Sequence, residues 1–166
     1  GKEWHKATTG GIQPFYQTVE SMAALLHQEL PREWIRDSMV ETVFFYGAGC
    51  GSTANQEKVK DSLSSVFPYS YIHVNSDLLG SGIALYGTAK GLAAILGTGS
   101  NVGWYEGQEI TRKSVSLGYL FGDEGSGAHL GKSFLSRYLR GEWAQPVRQA
   151  FEEYMGMTDM TILSKI

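Results

Sequence analysis

The segment Gly97-Thr98-Gly99-Ser100-Asn101 interrupts an apolar run, Leu92 to Leu96, and so changes the character of the chain abruptly. Glycines at 97 and 99 let a backbone turn sharply and let a ligand approach bare N–H groups. Thr98, Ser100 and Asn101 add hydroxyl and amide donors. Such a loop can hold phosphate oxygens. A tight β-hairpin with no ligand uses the same residues equally well. A second candidate is Asp77, at the end of His73-Val74-Asn75-Ser76-Asp77. A carboxylate there can cap the helix that follows. At the carboxyl end of a parallel strand it can instead act as a general base toward a bound ligand. Gly80 and Gly82 just beyond it favour the second use, because small residues let a helix sit close to backbone or ligand. The third cluster is Gly122-Asp123-Glu124-Gly125-Ser126-Gly127. Its carboxylates suit a helix N-terminus with no further role. They equally suit sugar hydroxyls, or a Mg²⁺ ion reached through water.

Periodicity says which elements must carry these groups. Phe15, Val19, Met22, Leu26 and Leu30 recur at helical spacing, which predicts a helix over 14–30 with Pro14 in its first turn and Pro31 ending it. Residues 43–46 predict a buried strand, and Thr53 with Gln56 predicts a capping box opening a helix through Phe67. A strand over 71–74 and a helix over 78–86 follow. Alternating helix and strand to this point is the pattern of a parallel sheet flanked by helices. After Gly87 three closely spaced strands, 92–96, 102–105 and 110–113, predict an antiparallel meander. Helices over 126–139 and 146–155 come next, and a further helix starts near Thr158.

Bulk composition narrows the function classes. Of 166 residues, 42% are hydrophobic, so a packed core is expected and disorder is not. The net charge of −3, from 14 basic and 17 acidic residues, argues against nucleic acid as a partner. Cys50 is the only cysteine, which excludes an intrachain disulfide and a cysteine-rich metal site and fits a reducing cytoplasm. No apolar run approaches the roughly 18 residues of a membrane span. His5, His27, His73 and His129 lack zinc-ligand spacing, so no protein-bound metal is assigned. Gly131-Lys132-Ser133 resembles the end of a P-loop, but Ser126 stands where its first glycine is required. Lys58, Lys60 and Asp61 read as a solvated helix face, and the four tryptophans as packing residues. The chain opens without Met, inside what reads as a strand, and is expected to be a fragment.

The order of the three clusters, with Ser116-Leu117-Gly118-Tyr119 leading into the last, resembles the N-acetylglucosamine kinase branch of the sugar-kinase, heat-shock chaperone and actin superfamily. The resemblance runs from about Thr8 to Leu163. It implies an α/β, ribonuclease H-like (actin-like ATPase) fold, with parts of two lobes around a cleft. Residues 1–86 would belong to the first lobe and 87–166 to the second. It implies ATP and Mg²⁺ as cofactors and a small amino sugar as substrate, in the cytoplasm, with neither nucleic acid nor membrane as partner; a homodimer is compatible with it. Asp77 matches the catalytic aspartate that orients and deprotonates the attacking sugar hydroxyl. Gly97, Thr98, Gly99, Ser100 and Asn101 match a phosphate loop. Ser116, Leu117 and Gly118 match the segment whose backbone lines the sugar site, and Asp123 the sugar-binding acid. Gln13 stands where relatives usually carry an Asn that contacts the sugar. No counterpart of the family's first phosphate hairpin precedes Thr8, and its later adenosine segment has no counterpart either, so truncation at both ends is expected. Two other activities share the superfamily or its ligand: an ATPase activator of a radical dehydratase or reductase, which needs two cysteines per subunit, and a non-catalytic sugar sensor.

Overall fold

The computed structural model of the chain describes residues 5–36, 40–156 and 161. They fall into two compact units: Gly1–Ala93 with Gly103–Arg112, and Ala94–Val102 with Lys113–Ile166. The predicted helix beyond Thr158 lies outside the described residues apart from 161. The strand expected at the very start of the chain lies outside the described residues apart from His5.

The first unit is built on two parallel strands, β1 (Thr42–Gly47) and β2 (Tyr71–Ser76), paired from Thr42↔Tyr71 to Gly47↔Ser76. Alternation along both strands points Val43, Phe45, Ile72 and Val74 the same way. Those side chains pack against Met22 and Leu26 of helix α1 (Val19–Glu29) and Val59, Leu63 and Val66 of helix α3 (Thr53–Val66). Helix α1 starts five residues later than the Pro14 start predicted from periodicity. Thr18 is its N-cap, in a capping box closed by Ser21, and Pro14 lies buried in the turn before it. A short helix, α2 (Arg32–Arg36), follows Pro31 and had no periodic signal. Helix α3 is capped by Ser52 rather than by the Thr53–Gln56 box that was expected.

Helix α4 (Asp77–Tyr86) follows β2 without a loop. It packs on the sheet face that carries Tyr46. A Cβ on Gly80 would stand 2.8 Å from the Tyr46 side chain, and one on Gly82 would stand 2.5 Å from the Tyr105 ring. These glycines therefore make room for aromatic side chains and not for a ligand, which corrects the use expected of them.

Strands β3 (Lys90–Leu96), β4 (Ser100–Glu106) and β5 (Glu109–Lys113) form a sheet in that order. Links of three and two residues leave no chain for a crossover, so the meander is antiparallel, as predicted. In the second unit helices α5 (Gly118–Phe121), α6 (Gly127–Leu139) and α7 (Gln145–Met155) follow. Helices α6 and α7 share an aromatic cluster. Phe134 lies 5.0 Å from Trp143 and 4.9 Å from Phe151, and fully buried Tyr138 donates to Glu152 at 2.7 Å. Among the described residues no helix is long and apolar enough to cross a membrane.

Candidate functional site

The candidate residues divide between the two units. Gln13 and Asp77 stand in the first, and Gly97–Asn101, Ser116–Gly118 and Asp123 in the second.

In the first unit, the register Gly47↔Ser76 brings the exits of β1 and β2 side by side at the carboxyl end of the parallel pair. Open α/β sheets place ligands at such an edge. Asp77 is the first residue of α4, and the N-cap is Ser76, whose hydroxyl accepts the Leu79 N–H at 3.3 Å. The capping use considered for Asp77 therefore falls to its neighbour. One Asp77 oxygen, Oδ1, accepts the Leu78 N–H at 2.9 Å. No described residue donates to the other, and the side chain is half-buried. A carboxylate in the first turn of a helix gains from the helix dipole, and its second oxygen is left for a proton from elsewhere.

The loop after β1 forms the neighbouring part of this edge. Burial pushes the Cys50 thiol above its ordinary pKa, and the negative charge of Asp77 acts in the same direction. Gly49 has φ +80, and a Cβ there would meet Gln13 Oε1 at 2.5 Å. Gln13 is thus held against this loop, its own N–H bonded to Gln17 at 2.6 Å. Three side chains from the start of α3 secure the arrangement. Asn55 donates to the Gly49 carbonyl at 2.8 Å, Gln56 to that of Cys50 at 2.9 Å, and Lys58 to that of Pro14 at 2.7 Å. Sequence reasoning missed this clasp. It placed Lys58 on a solvated face and Gln56 in a cap, and only the glycine-rich loop just ahead of α3 signalled that such anchors were needed.

In the second unit, Gly97–Asn101 is the β3–β4 turn, so the segment is a hairpin whatever else it does. Gly97 donates to the Gly99 carbonyl at 2.9 Å, and the turn is tied to the start of α6 by Gly127→Gly97 at 2.8 Å and Ala128→Thr98 at 3.2 Å. Among the described residues, the amides of Thr98 and Gly99 donate to no protein acceptor. Two successive amides without protein acceptors, beside the Thr98 hydroxyl, can donate to an anion. Asp123 is the one described non-glycine residue with positive φ, at 61°. Its Oδ1 accepts the Ser100 N–H at 3.2 Å, which joins the third cluster to the hairpin. Ser126 is fully buried and caps α6 by accepting the His129 N–H at 3.1 Å. Ser116 and Leu117 are exposed, and Gly118 has φ +68. Leu117 reaches this region through Gly122, where a Cβ would stand 3.0 Å from its own.

Among the described residues no group of three or more His, Cys, Asp or Glu side chains gathers as a metal site. The two open amides and the Thr98 hydroxyl fit phosphate oxygens. The donor set does not supply a protein cage for Mg²⁺, which in that case travels on nucleotide phosphates.

No family model matches the chain, and no curated protein sequence matches it. Among solved structures, it is similar to the putative N-acetylglucosamine kinase of Porphyromonas gingivalis, with 38% identity and a TM-score of 0.82. The match covers 92% of this chain and 54% of that one, so the chain spans about half the length of its structural relative. With that identity over nearly all of its residues, the chain belongs with the N-acetylglucosamine kinase-like proteins.

Proposed function

We propose that the protein to which this chain belongs phosphorylates an amino sugar, most specifically N-acetylglucosamine, at the expense of ATP. The observation that carries the reading is the similarity to the Porphyromonas gingivalis protein over 92% of the chain, with the candidate residues at strand ends and turns in each unit. On this reading the fold is ribonuclease H-like, with 1–86 and 87–166 contributing to two lobes.

Phosphoryl transfer needs positioning and charge stabilisation more than covalent help from the protein. Asp77 acts as general base. The sugar hydroxyl forms a bond to the γ-phosphorus, the bond from that phosphorus to the β–γ bridging oxygen breaks, and ADP leaves. The hydroxyl proton passes to the Asp77 oxygen that no described residue engages. Gln13, with its side chain braced against Gly49, contacts the sugar from the same unit. In the other unit, the open amides of Thr98 and Gly99 receive phosphate oxygens, with Gly97, Ser100 and Asn101 shaping the turn. Asp123 and the backbone of Ser116–Gly118 hold sugar hydroxyls. Mg²⁺, bound with the nucleotide, neutralises phosphate charge. Burial of Cys50 in the core weighs against the cluster-bearing ATPase activator, because a thiol with no exposure cannot ligate a shared cluster without local unfolding.

A coupled assay of ADP release by the full-length protein against a panel of sugars tests the reading. N-acetylglucosamine should head the panel, and Asp77→Ala should reduce turnover by a factor of at least about 100 while the circular dichroism spectrum is unchanged. A full-length protein that releases ADP with no sugar, or an Asp77→Ala variant near wild-type turnover, would defeat it.

A further inference from the structure

We infer that Asp123 is a positioning residue that links sugar binding to the nucleotide-holding turn, through a carboxylate shared between the two. The pin itself rests on geometry alone; the coupling rests on the kinase reading above.

The turn Gly97–Asn101 and the segment 123–128 are joined by three hydrogen bonds. Two are backbone bonds, from Gly127 and Ala128 to the carbonyls of Gly97 and Thr98 at 2.8 and 3.2 Å. The third is made by a side chain, Ser100 N–H to Asp123 Oδ1 at 3.2 Å. The carboxylate fills the space that a side chain on residue 99 would need. A Cβ on Gly99 would stand 3.1 and 3.2 Å from the two Asp123 oxygens. Asp123 reaches this position with φ 61°, a conformation that Asp and Asn adopt more readily than other non-glycine residues and at a cost that glycine does not carry.

A carboxylate has two oxygens and can accept at both. Oδ1 is used by Ser100, and no described residue donates to Oδ2. A sugar hydroxyl bound at Oδ2 would order a group whose other oxygen already fixes Ser100. Ser100 follows directly on Thr98 and Gly99, whose amides are open for an anion. Sugar and nucleotide therefore each gain from the other's ordering of one carboxylate, and by linkage the effect is reciprocal.

Two substitutions separate the parts. Asp123→Asn keeps an oxygen for the Ser100 N–H and tolerates positive φ, but replaces the second oxygen by an NH₂ group. Asp123→Gly removes both oxygens and removes the φ penalty, so that a changed backbone preference is not mistaken for a lost pin. The first measurement is amide hydrogen exchange in ligand-free full-length protein. Asp123→Gly should exchange Ser100 faster by a factor on the order of ten, as expected for loss of a hydrogen bond to a charged acceptor; Asp123→Asn should stay close to wild type. The second is the dissociation constant of ADP with and without saturating N-acetylglucosamine. The sugar should tighten ADP by about fivefold or more in wild type, with the ratio falling to about one in both variants. Unchanged Ser100 exchange in Asp123→Gly overturns the pin. A wild-type ratio that persists in Asp123→Gly, or a wild-type protein that binds ADP and sugar with no mutual effect, overturns the coupling and leaves the kinase reading standing. A wild-type protein that binds neither overturns the kinase reading together with the coupling, and the exchange result then decides the pin independently.

Discussion

Gly82→Ala and Gly131→Ala make the same chemical change in two helix interiors and should shift stability in opposite directions. Alanine is favoured over glycine in a helix by about 1 kcal/mol, because it loses less backbone entropy on folding. At Gly131 of α6 nothing lies within 4 Å of the added Cβ, so this gain stands uncorrected and the variant should be stabilised by roughly 0.5–1 kcal/mol. At Gly82 of α4 the added carbon would lie 2.5, 2.8 and 3.1 Å from three atoms of Tyr105. Ordinary contact is about 3.5–4.0 Å, so the ring must retreat by about 1 Å. Tyr105 has no exposed surface, stacks on Tyr86 at 6.1 Å between centroids and donates from its hydroxyl to Gly87 O at 2.6 Å. Overpacking of this kind costs about 1–3 kcal/mol, and loss of the tyrosine hydrogen bond adds about 1 kcal/mol. Set against the helix gain, the net change is a loss of about 1–3 kcal/mol. Urea unfolding of the three proteins, compared at equal m-value, measures both differences. A Gly82→Ala protein as stable as wild type would refute the argument that this glycine is present for Tyr105. A destabilised Gly131→Ala would refute the claim that the outer side of α6 is open at that position. The result also bears on function, since α4 carries Asp77 at its first residue and cannot be displaced without moving it.

Other consequences are smaller. Ser126→Ala removes the buried cap of α6 and should cost about 1–2 kcal/mol in the same unfolding experiment; no change would show that the hydroxyl is dispensable. Lys58→Met keeps the apolar stem but withdraws the donor from the Pro14 carbonyl, with an expected loss of about 1 kcal/mol, and unaltered stability would return Lys58 to a solvated face. Cys50 gives a pH dependence: the folded thiol holds its proton to higher pH than the unfolded one, so its stabilising contribution is complete below the ordinary pKa of 9.0 and is lost as pH rises above it. Unfolding midpoints at pH 8 and pH 10 should therefore fall more steeply for wild type than for Cys50→Ala, and parallel slopes would refute the assignment.

Most of the strands and helices were legible from apolar runs and helical spacing, the short helices α2 and α5 excepted. Met22 and Leu26 repeat at helical spacing, as read, whereas the strand over 43–46, expected to be buried, turns only Val43 and Phe45 to the core and leaves Phe44 exposed. The errors lie where local chemistry outweighs periodicity. Phe15 belongs to the helical series in sequence yet is exposed before the helix begins, because the Thr18–Ser21 box sets the start of α1. The candidate site was legible at strand ends, where glycine follows an apolar run. What joined its parts was not legible, since Ser100 and Asp123 are 23 residues apart and Lys58 and Pro14 are 44 apart. No local pattern specifies pairs at such separations. The glycines at 80 and 82 carried a real packing signal, but the sequence does not say whether the space beside a glycine holds a ligand or a tyrosine.

Subtracting the polar groups that the fold itself uses sharpens the assignment of roles. Ser52, Ser76 and Ser126 each cap the helix they precede, so their hydroxyls are engaged in holding α3, α4 and α6. The Gly97 and Ser100 amides are bonded to Gly99 and Asp123. Asn101 uses its side-chain oxygen on the Val102 N–H. Within the glycine-rich turn this leaves the amides of Thr98 and Gly99, the hydroxyls of Thr98 and Ser100 and the side-chain NH₂ of Asn101 as donors among the described residues. Among the two candidate acids it leaves one oxygen of Asp77 and one of Asp123. A half-buried polar group without a partner costs free energy unless water or a ligand meets it, which singles out the Gly99 amide and the second oxygens of Asp77 and Asp123, while Thr98 is exposed to water. On the kinase reading proposed above, these atoms are the first to examine for contacts with sugar and phosphate. Substitutions at Thr98 and Gly99 should act on nucleotide affinity more strongly than substitutions at Asn101, whose side-chain oxygen is already held by the Val102 N–H.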